Sequence, residues 1–372
     1  MSSDQQPTVE PAPNEAGRNE AGAADVASDM SDTVVTSRSP LLDRPRAVAG
    51  DGLEASVAVH YGDPGREQRL LEEGLAVVDL GNRDVVTVTG QDRLTWLHSL
   101  TTQHLLGLAP RESREALILT PKGHVEHSLH LVDDGTTTWI TTEPGAGQAL
   151  ADWLDRMRFM LRVEVSLVTD DWAVLGEPHA SESVEGEPLA WRDPWPDLVG
   201  DTTAYGPTEN HPGTDRAWRE VIVPRSGLEA AVGDRPLAGL WAAEALRVAA
   251  WRPRLGHESD HRTIVHEVDW LRTAVHLHKG CYRGQETVAR VHNLGRPPRR
   301  LVFLHVDGSG HVLPADGAPV SVGEKVVGHV TSIARHHVDG PIALALVKRN
   351  IDPTLELLVD GVSAAQTVIV AP

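Results

Sequence analysis

Lys279-Gly280-Cys281-Tyr282-Arg283-Gly284-Gln285-Glu286 holds the one cysteine of a 372-residue chain, set between two glycines and two places after a lysine. Neither Gly nor Pro interrupts the residues that follow, and Val288 and Ala289 share a face with Gln285 and His292, so the spacing predicts a helix starting near Gly284. Cys281 then sits just ahead of a helix N-terminus. Backbone N–H groups there, and the Lys279 ammonium, would both favour thiolate over thiol. A buried, inert cysteine in a tight turn is the competing reading of the same residues.

Downstream of this stretch, Gly295-Arg296-Pro297-Pro298 makes a stiff break. Beyond it come short apolar runs at 301–306, 318–322, 325–334, 342–347, 355–359 and 366–370, split by Gly, Asp and Pro. Short strands at such even spacing predict a small antiparallel barrel over 300–372. Upstream, helical periodicity at 66–74, 94–100, 147–160 and 237–250 alternates with strand-like runs at 75–80, 84–90, 116–120, 125–132, 136–142, 164–175 and 219–223. Asp92 is placed to cap the helix that carries Trp96 and Leu97, and Pro121-Lys122-Gly123 to turn a hairpin. Residues 177–215 read as a long polar loop with one edge strand near Leu189-Ala190-Trp191. This mixture predicts an α+β fold over 51–299, and no Gly-rich phosphate loop follows any strand.

A lone cysteine excludes an intramolecular disulfide framework and fits a cytoplasmic protein. Residues 1–50 are rich in Ser, Asp, Glu, Pro and Ala without an apolar core, which predicts a disordered acidic tail rather than a signal peptide, and no run suits a membrane span. A formal charge of -19 argues against general nucleic-acid affinity. Between Lys279 and Arg300, however, six cationic residues face the single acid Glu286, an island that would attract an anionic small molecule or a stretch of phosphate. A solvated arginine-rich face is the plainer reading.

The string from Lys279 to Glu286, running on into Val288-Ala289-Arg290, resembles the signature of the YgfZ-type folate-binding proteins. These are relatives of the glycine-cleavage T-protein, an aminomethyltransferase, and of mitochondrial iron-sulfur assembly factors. The segments Gly90 to Arg93 with Leu97 to Gln103, Leu246 to Ala250, Arg254 to Gly256, Thr263 to Glu267, Gly308 to Gly323 and Gly340 to Leu344 also resemble that family. The resemblance implies ferredoxin-like folate-binding subdomains around a central channel, a C-terminal barrel, and tetrahydrofolate as the cofactor. It implies a role in iron-sulfur cluster assembly or repair, with iron-sulfur client proteins, including tRNA-modifying enzymes, as partners. Direct tRNA contact through the basic island is a weaker expectation.

On that resemblance, Cys281 and Lys279 are expected to carry redox or cluster chemistry. Glu267 is the candidate for the pterin edge, Arg247 and Arg254 for the anionic tail, and Trp270 or Trp251 for stacking; Tyr282, Gln285, Glu286 and Arg290 complete the expected site. No resident metal set is assigned, because one cysteine cannot hold a cluster alone. The T-protein's acid pair corresponds to Gly123-His124-Val125-Glu126-His127, where a histidine replaces one acid, and its Tyr-Thr-Gly-Glu run to Pro224 through Glu229. The full acid/base set of that enzyme is therefore missing. The alternative is a folate-dependent transferase or demethylase that uses Glu126, His124 and His127.

Overall fold

A computed structural model describes residues 37–179, 186–310 and 313–372. The fold is α+β, with two five-stranded sheets and a closed six-stranded barrel. In one sheet the strands run in the order Leu189–Arg192, Trp218–Pro224, Trp172–Pro178, Val77–Asp79 and Leu237–Ala238, antiparallel except for the last pair. The other runs Ser113–Leu119, Val125–Asp133, Thr137–Thr142, Asp84–Thr89 and Glu164–Leu167, all antiparallel.

The barrel strands show why they read as unbroken apolar runs. In Arg299–Val306, Val302, Leu304 and Val306 fill the barrel interior, while Leu301 and Phe303 point outward into a second core. Gly340–Lys348 repeats the pattern, with Ala343, Ala345 and Val347 inside and Ile342, Leu344 and Leu346 outside. Both faces of these strands are buried, so the two-residue alternation separates two cores rather than core from solvent. The outer core contains Trp270 and Leu271, with Ala245 and Val248 from the helix Leu240–Ala249. That helix also buries Ala242 against Leu71, Val78 and Trp191 of the first sheet's core. Its alanines let it lie close to both neighbours, and Leu71, fully buried, contributes about 1.5–3 kcal/mol.

The expected strand at 164–175 is two strands in different sheets, Glu164–Leu167 and Trp172–Pro178, with the chain crossing over between them. The expected helix at 237–250 begins with a strand, Leu237–Ala238, and turns helical only at Leu240. Asp92 does not cap its helix through its side chain; the carboxylate instead accepts the Arg162 guanidinium and backbone N–H at 2.8 and 2.9 Å. The expected tail is shorter than 50 residues, because Pro40–Asp43 forms a 3₁₀ turn that buries Leu41 and Val48–Ala49 pairs with Ala58–His60. The rest of that tail lies outside the described residues, as does part of the 177–215 loop, whose edge strand Leu189–Arg192 is present.

Candidate functional site

The signature loop is fixed by its backbone. Gly284 caps the helix Gln285–Leu294 in the left-handed region, at φ 82°. A Cβ there would lie 2.6 Å from the Thr120 carbonyl oxygen and 3.0 Å from Gly123 Cα, so glycine serves both the turn and the close approach to the hairpin at 121–123. Lys279 is buried, and its Nζ donates to the Thr101 carbonyl at 2.5 Å and to that of His98, closing the C-terminal end of the helix Arg93–Leu100. Burial pushes its pKa down to about 8. Tyr282 is buried under this amine, its ring centroid 5.2 Å from Nζ.

Arg283 reaches Glu126 at 2.7 Å and Arg290 pairs with Glu286 at 3.1 Å across one exposed helical turn. Cys281 is exposed. The cysteine is thus presented to solvent, and the amine expected to act on it is occupied by two carbonyl oxygens.

A cavity of about 240 Å³ lies where both sheets, the helix Leu240–Ala249 and the barrel meet. Its wall follows the periodicity of each element: Ser128 and His130 from one strand, Trp218 and Glu220 from another, Trp191 and Asp193 from the edge strand and the residue after its end, and Leu240, Glu244 and Arg247 along one helical face. Arg252, Arg254 and Trp270 follow that helix in sequence, and Asp316 and Ile333 come from the barrel.

The charges of the wall are interlocked. Arg247 binds Glu244 at 2.6 Å, Glu258 at 2.7 Å and the Ser332 hydroxyl at 2.6 Å. Arg254 takes Glu143 at 2.8 Å, and Arg83 spans Glu143 at 3.4 Å and Glu220 at 3.3 Å. Arg252 donates to Glu115 at 2.7 Å and Asp193 at 3.1 Å, while Arg216 shares Asp193 at 2.7 Å. Glu220 also accepts from Thr141 at 2.6 Å and contacts His130 at 3.0 Å, whose ring stacks on Trp191 at 3.7 Å.

Burial works to raise the Glu220 pKa, but Arg83 and His130 outweigh it and hold the carboxyl well below its ordinary range. Glu244 is held down in the same way, with Arg247 overcoming burial. Among the described residues, three buried atoms of this wall have no hydrogen-bond partner: Asn82 Oδ1, Ser128 Oγ and Arg252 Nη1. Buried polar groups are nearly always paired, so an acceptor, a hydroxyl and a cationic donor without partners, all on residues that border one cavity, mark this wall as the least satisfied part of the polar network.

Of the residues singled out in the sequence, Arg247, Arg254 and Trp270 line this cavity; Trp270 holds its indole N–H on Glu115 at 2.7 Å. Cys281, Lys279 and Tyr282 of the loop, and Gln285, Glu286 and Arg290 of the helix that follows it, line no part of it. Glu267 does not line it either. Its carboxylate is buried and filled by Arg299, at 2.9 Å and 2.8 Å, and by the backbone N–H groups of Ile264 and Arg299, so it ties the barrel's first strand to the preceding segment.

Trp251 packs beside the outer core, and Glu229 is exposed and off the cavity. Within the basic island, Lys279, Arg283, Arg290 and Arg299 are paired as described, Arg296 donates to the Pro372 carbonyl, and Arg300 is buried with its Nη2 on Ile351 and Gln366, while Arg290 and Arg296 stay exposed. Sequence reasoning missed Asn82, Arg83, Ser128, His130, Asp193, Glu220 and Arg252. The available signal was a charged or polar residue inside an apolar strand, as with Glu220 before Val221-Ile222-Val223 and His130 between Leu129 and Leu131.

Residues 299–372 match the glycine cleavage T-protein C-terminal barrel domain. Over 312 residues the chain is 24% identical to a putative chloroplastic transferase of Arabidopsis thaliana, covering 78% of this chain and 69% of that one. It is 26% identical over 297 residues to an aminomethyltransferase of Symbiobacterium thermophilum, covering 74% and 78%. The crystal structure of glycine cleavage system aminomethyltransferase T from Bartonella henselae superposes with a TM-score of 0.70 at 17% identity, over 88% of this chain and 94% of that one. No helix among the described residues is long and apolar enough to cross a membrane. The chain therefore carries a barrel similar to that of the T-protein at its C-terminus and shares the aminomethyltransferase fold over most of its length.

Proposed function

We propose that this chain is a tetrahydrofolate-binding accessory protein of iron-sulfur cluster assembly or repair, with the reduced pterin held in the central cavity. The observation that supports the reading is the set of unpartnered atoms Asn82 Oδ1, Ser128 Oγ and Arg252 Nη1 in a cavity wall otherwise built largely of arginine–carboxylate pairs. A pterin offers ring N–H groups to Asn82 and a ring carbonyl to Arg252, and Ser128 serves either. Trp191, Trp218 and Trp270 supply aromatic walls, and the partly exposed Arg254 and His257 are placed for the anionic glutamate tail. Bound folate supplies one-carbon or redox chemistry; the residues of the chain bind it, orient it and exclude water from it.

The thiol of Cys281 belongs to the same proposal but to a different surface. Its exposure suits transient contact with an iron-sulfur client or assembly partner, among them the maturation of tRNA-modifying enzymes. The paired state of the Lys279 to Arg300 cations gives little support to direct tRNA contact. The test is Cys281→Ala: full folate binding is expected together with loss of support for iron-sulfur enzymes in cells, and unchanged support would sink the thiol role.

A folate-dependent aminomethyl transfer reaction is the second reading, favoured by the relative named aminomethyltransferase at 26% identity. Against it, Glu126 is already bound to Arg283, and burial lowers the His127 pKa. Formation of methylenetetrahydrofolate from tetrahydrofolate and a methylamine donor would establish that reading; absence of product with several donors would remove it.

A further inference from the structure

The barrel strand Lys325–His336 ends in consecutive histidines, His336 and His337, just before the turn back at Gly340. Neighbours within a strand face opposite sides. Here the strand stops at His336, and the turn lets both imidazoles approach one carboxylate. Glu72, at the end of the helix Pro64–Glu72, has Oε2 at 2.6 Å from His337 Nε2 and Oε1 at 3.9 Å from His336 Nε2. One ligand atom from each of the three residues falls within 4.8 Å of the others.

The arrangement is held from outside. Gln68 lies one helical turn before Glu72 and is buried; it donates to the Arg335 carbonyl at 3.0 Å and accepts from the His337 backbone N–H at 2.9 Å. It therefore pins the strand end to the helix. Asp339 Oδ2 stands 3.1 Å from His336 Nδ1, the carboxylate–histidine contact that orients a metal-binding imidazole. The same Nδ1 lies 3.2 Å from the Asp339 backbone N, so in the other tautomer it accepts that N–H instead.

We propose that Glu72, His336 and His337 form a binding site for a divalent transition-metal ion of the zinc class, which clamps the helix Pro64–Glu72 to the barrel. Two imidazoles and a carboxylate select such borderline ions over magnesium or calcium, which take all-oxygen shells. Metal bonds of about 2.0–2.1 Å place tetrahedral ligand atoms about 3.3 Å apart, so the ion displaces the proton shared by His337 and Glu72, widening the 2.6 Å contact and drawing in the 3.9 Å one. Both histidines border an open groove of about 600 Å³, which leaves room for water as a further ligand. Because the ion joins residues 265 apart in sequence and binds only the folded chain, it stabilises the fold by mass action.

The test uses the tag-free full chain, stripped by chelator and titrated with Co²⁺ and then Zn²⁺. One Co²⁺ per chain with visible tetrahedral absorption, displacement by Zn²⁺ and a Zn²⁺-dependent rise in Tm are expected. Glu72→Gln, an exposed and nearly isosteric change, and His337→Gln should each weaken binding by at least about tenfold and abolish the Tm shift. Absence of stoichiometric binding below millimolar metal would overturn the proposal. So would binding unchanged in both variants, including binding that moves to the His98, His104 and His276 rings, which lie 4.9 and 5.4 Å apart.

Discussion

The signature loop and the cavity wall are held by opposite means. Residues 279–286 are contiguous, shaped by a left-handed glycine and by a lysine that closes a helix end, and they leave a thiol facing solvent. The cavity wall is gathered from positions between 54 and 333, shaped by arginine–carboxylate pairs, and three of its residues carry buried polar atoms without partners. One region displays a thiol and the other encloses a polar space. On the proposed function, folate recognition and the role of the thiol are therefore separable, and substitutions in the two regions should fail in different assays.

The largest effect is expected at Arg247. Removing it in Arg247→Ala leaves Glu258, which is fully buried, without its cation and Glu244 with only the more distant Arg254 at 3.5 Å, at a cost of about 3–5 kcal/mol in urea unfolding. Loss of less than about 1 kcal/mol would show that the wall is not held by its charges. In the loop, Gly284→Ala places a methyl 2.6 Å from the Thr120 carbonyl at φ 82°, and a cost of about 1–3 kcal/mol is expected by the same measurement. A neutral result there would mean that the loop is not fixed by its backbone.

Stability should also fall with acidification, through groups outside the loop itself. Burial holds His98, His211 and His266 down to about 4 from an unfolded value of 6.5. The folded chain therefore binds fewer protons than the unfolded one between those values, and its stability declines as pH falls through that window. Below the ordinary value of 4.5, Glu220 and Glu244 add to the loss, because their folded pKa values are depressed and protonation breaks their pairs. Urea midpoints measured from pH 7 to pH 4 should drop steadily; a flat profile would contradict the burial of these groups. At the small end, Cys281→Ala should change stability by less than about 0.5 kcal/mol, since the side chain is exposed.

The same contrast explains what was legible before the fold was known. The barrel was readable because each strand is a short apolar run bounded by local Gly, Asp or Pro breaks, and the helix after Gly284 because its stop and start signals are local. Arg247, Arg254 and Trp270 were reachable through one continuous segment. Asn82, Ser128, Glu220 and Arg252 were not, because each is a single polar residue whose partner lies on another element, as Glu220 with His130 and Thr141. Glu267 misled for the same reason. A buried carboxylate invites a ligand until its partner, Arg299, 32 residues away, is seen to fill both oxygens. The crossover between Glu164–Leu167 and Trp172–Pro178 was hidden because two adjacent apolar runs look alike whichever sheet receives them.

Calorimetric titration of tetrahydrofolate into the full chain, its Ser128→Ala variant and its Cys281→Ala variant tests the central claim most directly. Ser128 Oγ has no partner to lose, so its removal should leave stability unchanged or slightly raised while weakening folate by about five- to tenfold. One folate per chain, weaker in Ser128→Ala and unchanged in Cys281→Ala, is the predicted result. No binding to the unaltered chain, or binding that ignores Ser128 and disappears with Cys281, would contradict the account.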